Sequence, residues 1–100
     1  MTVYQFRRTV TTASGSTSST SLKVPGGVCR QVIVQAQTGL TTTVFRANLT
    51  DESSLLVMDY GVQTGEMNDV TAFPMSGSYV FNITNASPDD TFKIYFAVEE

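Results

Sequence analysis

The sequence predicts an all-β fold, an antiparallel β-sandwich of jelly-roll-like type with about six to eight strands and a flexible N-terminal arm. Three observations carry that expectation. Apolar residues recur with period two in one run after another. Clusters of Gly, Pro, Ser, Asn and Asp stand between the runs at even spacing. Ser and Thr make up about a quarter of the chain, and Thr suits pleated strands while Ser suits turns.

Taken in order, Tyr4 and Phe6 alternate with Val3, Gln5 and Arg7, a short strand signal. Residues 9–21 are Thr, Ser, Ala and Gly with only Val10 apolar, so they read as a flexible stretch. It is either a long loop joining an edge strand to the body, or an arm that docks on a neighbouring subunit by strand addition. The expected division is therefore residues 1–21 as strand plus arm and 22–100 as the sandwich. Pro25-Gly26-Gly27 reads as a turn before the first long strand. There, Val28, Val32, Val34 and Ala36 share one face, with Gln31, Gln35 and Gln37, joined by Cys29 and Ile33, on the other. Gln37-Thr38-Gly39 suggests a hairpin into a second strand, where Phe45, Ala47 and Leu49 alternate with Val44, Arg46 and Asn48.

A third strand follows the polar turn at residues 50–54, in the apolar run 55–60. Residues 63–73 show no clear period, and a short helical turn is allowed there. Residues 74–78 read as a turn, then Tyr79, Phe81 and Ile83 alternate with Val80, Asn82 and Thr84. Residues 85–90 suggest another hairpin. Last, Phe92, Ile94, Phe96 and Val98 alternate with Lys93, Tyr95 and Ala97, the clearest pattern in the chain. The expected core is Val32, Val34, Phe45, Leu49, Val57, Phe81, Ile83, Phe92, Ile94 and Phe96.

Charge is sparse and divided. Charged residues are 15% of the chain, against roughly 25% in ordinary domains. The first half holds Arg7, Arg8, Lys23, Arg30 and Arg46 and no acid. The second holds all nine carboxylates and a single cation, Lys93. Such asymmetry suggests complementary patches for association. The net charge of −3 argues against nucleic acid as a partner. The N-terminal sequence has no signal-peptide pattern, and no apolar run reaches the ~18 residues of a membrane span, so no membrane partner is expected.

The composition gives little to catalysis. There is no His, hence no conventional base near neutral pH and no Ser-His-Asp set. Cys29 lacks the partner of a cysteine nucleophile and sits within a strand signal, and a lone Cys makes no intrachain disulfide. Carboxylates at Asp51/Glu52, Asp59, Glu66/Asp69 and Asp89/Asp90 are available to a glycosidase. A small domain without Trp is a poor host for one. No zinc ligand set exists, and the acidic turns do not match a calcium loop. The expectation is a non-enzyme without cofactor or metal. Association is left, through Tyr4, Phe6, Arg7, Arg8 and Tyr95, with other copies of the chain as one partner class.

A small Ser/Thr-rich chain with a flexible arm, strand-like to its end at Phe92-Lys93-Ile94-Tyr95-Phe96-Ala97-Val98, resembles accessory proteins of tailed-bacteriophage virions. These are the capsid decoration or cement proteins and the neck and tail components. The resemblance implies a homo-oligomeric structural protein without catalysis, located in a virion and bound to a capsid or tail protein. The stretch Gly77-Ser78-Tyr79-Val80-Phe81-Asn82-Ile83-Thr84 is also similar to carbohydrate-binding sandwich modules. That implies a carbohydrate- or receptor-binding role, with Tyr95 as the best placed ring for a sugar.

Overall fold

In the computed structural model, residues 3–12, 17–37, 42–86 and 90–100 are described. The fold is all-β, with six strands among the described residues: β1 (Val3–Thr11), β2 (Ser18–Ala36), β3 (Val44–Asp51), β4 (Leu56–Thr64), β5 (Glu66–Thr84) and β6 (Thr91–Glu99). They form one antiparallel sheet in the order β1-β6-β2-β5-β3-β4. The sheet does not close into a barrel.

Two of the strands are 19 residues long, and their bending creates the sandwich. Residues 18–24 of β2 pair with residues 77–83 of β5, and residues 27–35 of β2 pair with residues 66–75 of β5. The register shifts between Val24 and Gly27, so both strands turn a corner together. One layer is then the first half of β5, the second half of β2, β6 and β1. The other is the first half of β2, the second half of β5, β3 and β4. This is a jelly-roll-like arrangement of two four-stranded layers.

The corner explains a correction. Pro25-Gly26-Gly27 is a bend inside β2, and Gly77 (φ 100°) lies on the matching bend inside β5. Local composition marks both places as breaks, yet the ladder continues across them. At Gly27 (φ 150°) a Cβ would lie 2.5 Å from the Glu99 carbonyl oxygen, so only glycine lets β6 approach. Tyr79 pins the β5 bend, its hydroxyl accepting from the Ser76 amide (2.9 Å) and donating to the Ser76 carbonyl (3.2 Å).

The expected hairpins are also corrected. β2 pairs with β5 and β6, and β6 with β1 and β2, so neither β2–β3 nor β5–β6 is a paired hairpin. Both connections pass from one layer to the other, which hydrophobic alternation cannot distinguish from a tight turn. β3 and β4 do pair. Their turn is organised by Asp51, whose Oδ1 accepts from the Ser53 amide, the Ser53 hydroxyl and the Leu55 amide at 2.7–2.9 Å. These bonds hold its carboxyl below the usual range. The stretch 63–73, open to a helical turn on sequence, is strand throughout apart from Gly65.

The core lies between the layers. Phe45 meets Phe92 edge-on at 5.0 Å, and Phe81 meets Phe96 at 5.4 Å, each pair crossing from one layer to the other. Every expected core residue is buried except Val57. The β3–β4 register skips from Met58 to Leu56, leaving Val57 as the extra residue of a bulge. Likewise an irregularity between Cys29 and Gln31 brings Cys29 into the core and leaves Val28 half-buried.

The N-terminal segment is structured where described. β1 pairs with β6 over nine consecutive positions, and Tyr4, Phe6 and Val10 pack against the core. β2 begins at Ser18, so the boundary expected at 21/22 falls inside a strand. Residues 13–16 of the expected arm, 38–41 of the first expected hairpin and 87–89 of the second lie outside the described residues.

Candidate functional site: the outer face of the β5–β2–β6–β1 layer

The registers place outward residues of four strands in rows across this layer. Arg7, Tyr95, Ile33 and Asn68 form one row. Thr9, Lys93, Gln35 and Glu66 lie beside it, and Gln5, Ala97, Gln31 and Val70 on the other side. Strand alternation produces this face directly, because the opposite phase of β6 (Phe92, Ile94, Phe96, Val98) is taken by the core.

The central row opens into a shallow depression of about 410 Å³, lined by Arg7, Arg8, Thr9, Ile33, Gln35, Lys93, Ile94 and Tyr95. Its floor joins an aromatic ring to an aliphatic side chain. Its rim is polar, with Thr9 and Gln35 beside the cations Arg7, Arg8 and Lys93. The Arg7 guanidinium sits 5.1 Å from the centre of the Tyr95 ring, within cation–π range, while donating to Gln5 Oε1 at 3.2 Å. Gln31 donates to Asn68 Oδ1 at 2.9 Å, fixing that edge of the face. Such a surface offers stacking and amide hydrogen bonds.

The residues expected at an interface separate into two groups. Arg7 and Tyr95 are brought together on the outer face. Tyr4 and Phe6 turn toward the core side of β1. The Tyr4 hydroxyl donates to Glu100 Oε2 at 2.8 Å, and that bond to a carboxylate raises its pKa. Arg8 lies on the Phe6 side of the strand, 6.0 Å from that ring, and donates to the Arg7 carbonyl at 2.9 Å. Arg8 also lines the depression, so it borders both groups.

Asn68 was missed, because residues 63–73 show no clear apolar period. Once β5 is known to run through them, Glu66, Asn68 and Val70 alternate with Met67 and Asp69 like any other strand. The position of a residue on an edge strand weakens the usual burial signal.

Elsewhere two acidic groups are engaged locally. Asp51 is held within its turn, and Asp59 accepts from the Gly61 amide at 2.9 Å and pairs with Arg46 at 3.4 Å. Asp89, half of an expected acidic pair, lies outside the described residues. Among the described residues no three His, Cys, Asp or Glu side chains are grouped to hold a metal ion, and no helix is long and apolar enough to cross a membrane.

No known protein family matches the chain, and no curated protein sequence matches it. Solved structures do. The Drosophila NLP-core, whose structure was described for pentamer formation and histone binding, is 13% identical with a TM-score of 0.60, over 99% of this chain and 98% of that one. PirA is 15% identical with a TM-score of 0.51 over 93% of both chains. The SPBc2 prophage-derived protein YomS is 14% identical with a TM-score of 0.50, over 97% of this chain and 96% of that one. At such identities the likeness is one of fold. It is shared by varied small all-β proteins, one of them prophage-derived.

Proposed function

We propose that this chain is a non-enzymatic binding module that takes a polyhydroxylated ligand, a glycan, on the outer face of the β5–β2–β6–β1 layer. The observation that carries the reading is the Tyr95 row. A tyrosine ring and Ile33 form an apolar floor, and Gln5, Gln31, Gln35 and Asn68 surround it with amide donors and acceptors. A sugar presents the matching combination, an apolar ring face edged by hydroxyls. Arg7 holds the Tyr95 ring in place from β1.

A glycan array with the full chain tests this. Binding is expected, and Tyr95→Ala is expected to weaken it by about tenfold, the scale of a lost aromatic contact. Absence of binding, or binding indifferent to Tyr95, overturns the reading.

A second reading places the same face against a capsid or tail protein in a virion, as a decoration or cement component. The uncharged row Gln5, Ala97, Gln31 and Val70 supports it, since interface cores are depleted in charge. So does the fold-level likeness to the prophage-derived YomS. Under this reading, purified particles contain the protein and Tyr95→Ala reduces its occupancy on them. Particles that lack the protein rule it out.

A further inference from the structure

The β5–β2–β6–β1 layer ends in two open edges of opposite charge. One edge is β1. Among the described residues it pairs on one side only, with β6, in a register of nine positions without a shift. It contains neither Pro nor Gly, and its only charges are those of Arg7 and Arg8, both exposed. The other edge is the first half of β5, which among the described residues pairs on one side only, with β2. From Glu66 to Val70 its register is regular, and its only charges are those of Glu66 and Asp69. Val70 stands there 79% exposed, and Val3 on the β1 edge is 50% exposed.

A regular open strand is a template for pairing with another chain. Charged side chains at such an edge ordinarily oppose that pairing. Here each edge carries the sign that attracts the other and repels itself. Like edges therefore exclude each other, while β1 of one copy complements β5 of the next.

Strand direction agrees. Within the layer β5, β2, β6 and β1 alternate in direction, so β1 of a second copy in the same orientation meets β5 antiparallel. The rows give the level. Arg7 shares a row with Asn68, and Arg8, paired to Ile94 and through it to Val34, shares a row with Met67. With no slip between copies, Arg7 is diagonal to Glu66 and Arg8 to Asp69, within reach of long side chains. The contact also brings the exposed Val3 and Val70 onto one continuous outer face. Pro74 marks the far end of the β5 edge, since proline cannot extend a ladder there.

We infer that a second copy of this chain docks head to tail by adding its β1 edge to the Glu66–Val70 edge of β5, with Arg7 and Arg8 facing Glu66 and Asp69. A contact of this kind joins two different surfaces, so it generates a ring or an open filament rather than a two-fold dimer. The inference is independent of the ligand reading.

Sedimentation velocity of the full chain over a wide concentration range, at low and high salt, tests it. Two variants at exposed positions are compared, Arg7→Glu/Arg8→Glu and Glu66→Lys/Val70→Lys, with circular dichroism confirming that each is folded. The wild-type chain is expected to associate beyond a dimer, more weakly at high salt. Each variant alone carries like net charge on both edges and is expected to lose association by at least about tenfold. A mixture of the two restores edges of opposite net charge at each junction between the two variants and is expected to associate again. A wild-type chain that is monomeric throughout, variants that associate as wild type does, or a mixture that stays monomeric overturns the inference.

Discussion

Tyr60 carries the one buried side-chain polar atom without a hydrogen-bond partner among the described residues, its hydroxyl. The ring itself is well used, tilted against Phe81 at 6.1 Å. Burial raises the phenol pKa, and nearby Cys29 and Asp69 add to the effect. An unmatched buried hydroxyl costs free energy that the same ring without it does not. Tyr60→Phe is therefore expected to raise stability by about 1 kcal/mol in urea unfolding. A loss of similar size would show that the hydroxyl has a partner in solution. Tyr60 falls in an apolar run on sequence, so its ring was legible as packing material. Its hydroxyl's isolation was not, because that depends on which strands of the opposite layer lie over it. Tyr4 and Tyr95 show the same limit. Strand phase placed Tyr95 outward, while the engagement of Tyr4 by Glu100 joins the two ends of the chain.

At the scale of the strand, legibility follows burial. β6 alternates cleanly because one of its faces is sealed against the other layer, and β3 does so for the same reason. The first half of β5 and much of β4 are edges, with less to bury, and their patterns are correspondingly weak. Leu55, Leu56 and Val62 are exposed on or beside β4. The glycine corner shows how a local signal is real and its outcome still open. Pro25-Gly26-Gly27 marks a break in regular strand, but whether the chain reverses or bends depends on the partner strand beyond it. Because a Cβ on Gly27 would strike the β6 backbone, and its φ suits glycine alone, Gly27→Ala is expected to destabilise the chain by about 3 kcal/mol. The check is a shift in the urea midpoint. A change within about 0.5 kcal/mol would mean that the β2–β6 contact is looser than this geometry requires.

At the scale of the whole molecule, two ionisable groups sealed between the layers tie stability to alkaline pH. Burial pushes the Cys29 thiol from an ordinary 9.0 up to about 11, and Tyr60 is raised in the same direction. A raised folded pKa means that the unfolded chain releases its proton first. The fold's stability is therefore complete below the ordinary thiol value of 9.0 and falls as pH rises through about 11. Urea midpoints measured across that window are expected to decline. Cys29→Ala is expected to flatten part of the decline, and a midpoint that does not move would contradict the sealing of this core.

The amino-acid order alone settled the all-β class, the phase of the best-buried strands and nearly all of the expected core, since period-two alternation is a local record of one dry face and one wet one. Pairing was decided only by the folded chain. Which strands become neighbours, that two apparent turns are corners in unbroken strands, and that the basic N-terminal strand and the acidic first half of β5 form opposite margins of one layer all depend on contacts between distant residues. A strand's own pattern records that it has a buried side and carries no information about which strand covers it.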